Sequence, residues 1–378
     1  MKRSWLAILA MMAALFGAQQ IAMAQGAAPQ GATPPGTFLQ TSPSGQTFLM
    51  VPNNRQVKPA SFNGGGEPAP EACDDGCCFE GWNHCYYAYG GFMYLRARDS
   101  EVAYAVAANG PIAPGTVPVQ VSPVGVLDQD YQPGFFVGFG MTLDECSSIG
   151  VQYQQFESST NDSITTDPGN VVRSLVVHPS TLNAAADGLY ADGTYDIRFN
   201  ILDLEYRQLI WGEECEKFNW LMGVRIAQTE QNFSSNFGAI LGSQNVTTDL
   251  DFYGAGLKFG LEYERFTKRG FLVYAKGNAS FVPGEYRANY QQSNAFDPSV
   301  VDTGWKAGRV VTMVDLEVGA GWVSCSGRYR LTAGYLLMGW FNTVQTDEWI
   351  KGVQSNNFVD MTSATSFDGL MARFEARF

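Results

Sequence analysis

The chain has 378 residues, a formal charge of −13 at pH 7, 16% charged residues, 13% aromatic residues and 41 glycines. Its mean hydropathy of −0.11 excludes a helical membrane protein, and the acidic balance argues against a nucleic-acid partner. Two classes fit the composition equally: a closed barrel in lipid, whose alternating faces average out, or a secreted β-sandwich with glycine-rich turns.

In chain order, MKRSWLAILAMMAALFGAQQIAMAQ comes first. Lys2 and Arg3 precede an apolar run from Trp5 to Phe16 and a small-x-small site at Ala22-Met23-Ala24. This is the pattern of a signal peptide over residues 1–24, with an apolar run too short to span a bilayer as a helix. Residues 25–72 are rich in Gly, Pro, Gln and Ser without a sustained period and predict a disordered leader. A cysteine-rich segment follows over 73–86, and the barrel is expected over 87–378.

Within 87–378 a period-two pattern predicts ten strands: 87–98, 132–142, 148–157, 195–210, 218–231, 249–263, 270–281, 310–323, 328–341 and 368–378. Most reach the roughly 9–11 residues that a tilted strand needs to cross a bilayer. The connections alternate strictly between long and short, as extracellular loops and periplasmic turns do. The fold expected is therefore all-β, a transmembrane antiparallel up-and-down β-barrel. A further hairpin around VVRSLVVH would raise the count to twelve, and no helix is expected after the signal peptide.

Alternation assigns the faces. In DGLMARFEARF, Leu370, Ala372, Phe374, Ala376 and Phe378 share the lipid face, while Met371, Arg373, Glu375 and Arg377 face inward. In YDIRFNILDLEYRQ the pattern slips at Ile201-Leu202, which suggests a β-bulge. Basic residues expected to line the lumen are Arg96, Arg198, Arg207, Arg225, Lys258, Lys276, Arg328, Arg330, Arg373 and Arg377. Their expected acidic partners are Asp196, Asp203, Glu205, Asp251, Glu262, Asp315, Glu317 and Glu375. These charges either border water in a narrow conduit or pair into an ionic plug. Ten strands lie near the width that side chains fill, but inward glycines (Gly138, Gly140, Gly254, Gly256, Gly319, Gly321) leave room for a passage. Tyr86, Tyr87, Trp211, Trp220, Trp322 and Trp340 are expected in interfacial aromatic girdles.

The stretches YAYGGFMYLRARDSEVAYA, LDLEYRQL, FYGAGLKFGLEYE and LMARFEARF, with their spacing, resemble the pore-forming outer-membrane family related to the Legionella major outer membrane protein, in particular its planctomycete members. The resemblance implies a bacterial outer-membrane location and a porin-like or structural role, and it transfers no catalytic residue. The terminal strand resembles the signal read by the barrel-assembly machinery, which would place that role on Phe374 and Phe378.

Seven cysteines, Cys73, Cys77, Cys78, Cys85, Cys146, Cys215 and Cys325, all fall on the expected periplasmic side, an oxidising compartment. They are candidates for disulfides that stitch the leader to the barrel mouth, with an odd thiol left for self-association. A zinc site from Cys73, Cys77, Cys78, His84 and Cys85 is the alternative, although the spacing lacks paired C-x-x-C units. Neither His84 nor His178 falls inside an expected strand with a serine, so no catalytic residue, enzyme activity, cofactor or metal is expected. The expected function is passive passage of small solutes or ions through a charged lumen. The alternative is a structural or adhesive surface barrel with a closed lumen and partner-binding loops. Partners expected are outer-membrane lipid and the assembly machinery.

Overall fold

The computed structural model describes residues 85–110, 119–144, 146–181, 188–213, 215–239, 242–267, 269–359 and 361–378. The expected signal peptide and leader, together with Cys73, Cys77, Cys78 and His84, lie outside these residues.

Ten strands close a ring: β1 (Tyr86–Arg98), β4 (Gln132–Asp144), β5 (Ser147–Thr165), β7 (Gly188–Glu213), β8 (Glu216–Ala239), β9 (Gly242–Phe266), β10 (Phe271–Asn294), β11 (Val301–Val323), β12 (Tyr329–Thr343) and β13 (Ser363–Arg377). The order β7-β5-β4-β1-β13-β12-β11-β10-β9-β8 returns to β7, so no ring edge is left unpaired, as hydrocarbon requires. First and last strands are locked by reciprocal bonds. The Tyr86 N–H donates to the Phe378 carbonyl, and the Phe378 N–H to the Tyr86 carbonyl, both at 2.9 Å.

Three further strands, β2 (Val102–Ala108), β3 (Gln120–Leu127) and β6 (Val171–Ser174), form a flap outside the ring. The segment VVRSLVVH therefore supplies β6, which pairs with β2 and meets β7 only at Val172–Gly188. The barrel stays ten-stranded. The short connections after β4, β7, β9 and β11 share one end with Tyr86 and Phe378, the periplasmic end.

The expected loops need correction in two places. The long loop expected over 232–248 is a hairpin, because β8 runs to Ala239 and β9 starts at Gly242. Polar residues such as Asn232, Ser234 and Asn236 escape a search for apolar alternation, yet they suit a strand whose outer face meets water. Nor is the connection 344–362 free of helix. It carries α1 (Thr346–Ser355), with Asp347 and Glu348 in its first turn and Asn356 ending it in a left-handed conformation at φ 52.

The strands change character along their length. In the periplasmic part, Leu204, Met222, Val224, Tyr253, Leu257, Phe259, Val273 and Leu337 are exposed on the outer face. This is the lipid band. Above it, β7 to β11 continue for about 40 Å at the usual rise per residue. Here the inner face is apolar (Tyr195, Ile197, Phe199, Phe233, Phe237, Leu250, Phe252, Tyr286 and Tyr290 are buried) and the outer face polar. On β7 the reversal falls at Ile201–Leu202 without a bulge, since pairing to β8 is unbroken from Tyr190 to Leu209. What changes there is the medium outside the wall.

Candidate functional site

The interior is the candidate site, and it is layered. The lowest layer is ionic. Parity places Asp203, Glu205 and Arg207 of β7, Arg225 of β8, Lys258, Glu262 and Glu264 of β9, and Lys276 of β10 inward. Asp315 and Glu317 of β11, Arg330 of β12, and Arg373, Glu375 and Arg377 of β13 face the same lumen.

Arg225 holds Asp203 in a two-pronged pair, Nε to Oδ1 at 2.8 Å and Nη2 to Oδ2 at 2.9 Å. The same Nη2 lies 2.7 Å from Asp315 Oδ2. That contact is a chord across the lumen, because β9 and β10 separate β8 from β11 along the wall. Lys258 Nζ donates to Asp203 Oδ2 at 2.6 Å and also to Glu205. Lys276 reaches Glu205 at 3.8 Å, Arg207 lies 3.3 Å from Glu262, Arg330 pairs with Glu264, and Arg377 pairs with Glu375 at 2.7 Å. The Tyr274 hydroxyl donates to Glu317 at 2.7 Å, and the Arg373 guanidinium sits 4.9 Å above the Tyr89 ring.

Pairing this dense is what buried charge requires, since an uncompensated ion in low dielectric is costly. A void of about 20 Å³ lies among Gln152, Arg225, Lys258, Asp315 and Arg373. Arg225 Nη1, Asp315 Oδ1 and Asn278 Oδ1 have no protein hydrogen-bond partner. The space and polarity suit a single water.

The inward glycines do not widen this layer. A Cβ on Gly138 would lie 2.2 Å from the Tyr89 ring, and one on Gly140 2.2 Å from the Tyr87 ring. These two glycines receive tyrosines, and a Cβ on Gly254, Gly256, Gly319 or Gly321 would meet a neighbouring strand's carbonyl oxygen within 2.8 Å, so the room they offer is already filled.

Above the ions lies an aromatic layer. Phe199 is 5.0 Å from Phe367, 5.3 Å from Phe156 and 5.5 Å from Trp340, centroid to centroid. Phe136, Met338, Met371, Met93 and Leu95 complete it, all buried. Higher still, a void of about 10 Å³ is bordered by Ser100, Thr229, Gln231, Thr343 and Thr365. Gln231 closes it: its Oε1 accepts from the Tyr195 hydroxyl at 2.9 Å and the Thr346 N–H at 3.2 Å, and its Nε2 donates to the Val344 carbonyl at 3.2 Å. Helix α1 then caps the mouth with Trp349, Ile350 and Val353 buried.

Several expected lumen residues lie elsewhere. Arg198 projects outward, paired with Glu157 at 2.8 Å and Glu230 at 3.3 Å. The unbroken β7 register gives it the opposite parity from Asp203, and Asp196 shares its face. Asp251 shares the outer parity of exposed Tyr253, and Arg96 is outward, paired with Asp128. Arg328 is exposed in the turn 324–328. Tyr87 and Trp340, expected in girdles, are buried inside, whereas Tyr86, Trp211 and Trp322 are exposed outside. Phe374 and Phe378 are exposed on the lipid face.

At the periplasmic end, Cys85 and Cys146 are free and exposed, while Cys215 and Cys325 are disulfide-bonded. His178 accepts from the Ser180 N–H at Nδ1, 3.2 Å away. Among the described residues no group of three or more metal-ligating side chains is present.

The aromatic layer, Glu264 and Lys217 were not assigned to the interior from the sequence. For Lys217 and Glu264 the parity of their strands was the available signal, since both continue the inner sets of β8 and β9. For the aromatic layer the signal was weak, because in lipid-band strands aromatics mark the outside.

A closed ring of strands with an apolar outer band and an ionic interior defines an outer-membrane β-barrel. A family model described as the Legionella pneumophila major outer membrane protein precursor matches residues 83–375. The chain belongs to this family, and its place is the bacterial outer membrane. Among solved structures it is similar to the outer membrane protease OmpT from Escherichia coli, with 11% identity, 79% of this chain and 99% of that chain covered, and a TM-score of 0.45. It is also similar to OprG from Pseudomonas aeruginosa, with 12% identity, 77% and 95% covered, and a TM-score of 0.27. No curated protein matches the chain.

Proposed function

We propose that this protein is a non-enzymatic surface barrel, closed to free diffusion, whose extracellular half presents a binding surface. One observation carries this reading: the lumen is crossed by a paired ionic layer and, above it, by the Phe156–Phe199–Trp340–Phe367 layer. The wide outward extension of β7 to β11, the flap and α1 make the exposed half the elaborated part of the molecule. Export by residues 1–24, assembly through the terminal Phe374 and Phe378, and disulfide-linked self-association through the free Cys85 or Cys146 belong to the same proposal.

Passive passage through the lumen is a second reading, and a specific feature favours it. Three spaces succeed one another along β12 and the chain beyond it: about 20 Å³ at Met338, about 10 Å³ at Thr343 and about 490 Å³ at Gln345. Joining them requires displacement of α1 and of the aromatic layer. Swelling of liposomes carrying the purified protein separates the readings. In arabinose the closed barrel swells no faster than protein-free liposomes. Swelling that slows with solute size would overturn it in favour of passage.

A further inference from the structure

The largest of those spaces, about 490 Å³, lies at the extracellular mouth between the flap and α1. Its volume falls within the range of pockets for small organic molecules. Its chemistry is one-sided. Val102, Ala103, Val126, Leu175, Val176 and Ile350 supply apolar walls, and Asp99, Glu101 and Asp347 supply carboxylates. Among the described residues Lys351 is the single cation lining it, and its ammonium is already bound to Asp347 at 2.8 Å. Asp99 and Glu101 are thus left in excess.

The two lining glutamines spend their donors on the protein. Gln354 Nε2 donates to the carbonyls of Leu175 at 2.7 Å and Val177 at 3.0 Å. Gln345 Nε2 donates to the carbonyls of Asp99 and of Ala364, the latter at 2.9 Å. Beyond the N–H groups that Lys351 does not spend on Asp347, what the walls still offer a ligand is acceptors and hydrocarbon. An anion would meet three carboxylates against the one lysine already engaged by Asp347, and a neutral apolar molecule would leave Asp99 and Glu101 partly desolvated.

We propose that this cavity binds an organic cation with an apolar body, an ammonium or guanidinium group on a hydrocarbon or aromatic frame. The cationic head lies against Asp99 and Glu101, and the body packs between Ala103, Val126 and Ile350. This rests on the surface-binding reading and deepens it by naming a ligand chemistry. It does not depend on whether the lumen conducts, so a swelling experiment and a binding experiment can fail separately.

The test is calorimetric titration of the full-length protein, folded in detergent micelles, with three probes of one size: phenethylammonium, 2-phenylethanol and 3-phenylpropionate. Phenethylammonium is expected to bind saturably at one site, at least about tenfold more tightly than either other probe, and more weakly as salt rises. Glu101→Gln, an exposed change, weakens it about twofold to fivefold, the range for a solvent-screened pair. Ala103→Phe fills the cavity and abolishes binding. Heat-dependent gel migration shows whether each variant is folded; should Ala103→Phe not fold, Glu101→Gln and the probe order still decide. Equal binding of the alcohol, absence of saturable ammonium binding, or indifference to Glu101→Gln would each overturn the proposal.

Discussion

Arg225→Ala is the sharpest perturbation of the ionic layer. Arg225 is buried with 1% of its side chain exposed, and its carboxylate partners Asp203 and Asp315 are almost equally enclosed, at 0% and 8%. Removal leaves Asp203 with Lys258 alone and strips Asp315 of its cation. Removing one partner of a buried ion pair costs about 3–5 kcal/mol, a large share of the roughly 5–15 kcal/mol that holds a typical fold. The double variant Arg225→Met/Asp315→Leu removes the chord as a neutral unit and is expected to recover most of that loss. Equilibrium urea unfolding of the protein in lipid vesicles, followed by tryptophan fluorescence, measures both. A single-variant loss below about 1 kcal/mol, the size of a solvated pair, would refute the reasoning by showing that water already screens these charges.

Three further outcomes follow from other parts of the interior. Phe199→Ala removes the ring shared by three aromatic contacts and should cost about 3–5 kcal/mol in the same unfolding assay, without opening the lumen, because the ionic layer below remains. Gly140→Val drives a side chain into the space of the Tyr87 ring and should cost about 1–3 kcal/mol; a double-mutant cycle with Tyr87→Ala should recover much of it, and additivity would contradict the contact. Burial holds the Glu348 carboxyl above its ordinary range, with Asp347 adding to the rise. Docked α1 therefore holds that proton more tightly than undocked α1, so docking is strongest in acid and weakens as pH climbs from the usual carboxylate range toward neutrality. Hydrogen exchange of the helix amides, corrected for intrinsic rates, should lose this dependence in Glu348→Gln.

Much of this architecture was legible because a lipid-facing strand writes a clear pattern. The ten strand segments, the inner set Gly254-Gly256-Lys258-Gly260-Glu262 and the outer set Tyr253-Leu257-Phe259-Leu261 follow from parity alone. What escaped has a common cause. Period-two reading assumes one medium along a strand, and β7 to β11 cross from lipid into water. On β7 the change of medium mimics a bulge at Ile201-Leu202, which sends Arg198 to the wrong side. On β8 and β9 it disguises strand as loop over 232–248. The short α1, ten residues inside a connection, was hidden because its buried Trp349, Ile350 and Val353 make too few turns for a periodic signal. Gly138 and Gly140 misled differently: a missing side chain reads as space, and only tertiary structure shows that Tyr89 and Tyr87 occupy it.

The mutually sealing ionic and aromatic layers are tested most directly by current across a planar bilayer containing the purified barrel in salt solution. A quiet baseline, with no unitary steps for the intact protein at moderate voltage, is the expected record. Stable, reproducible steps from the unmodified chain would mean that ions cross where Arg225 and Phe199 are said to close the way.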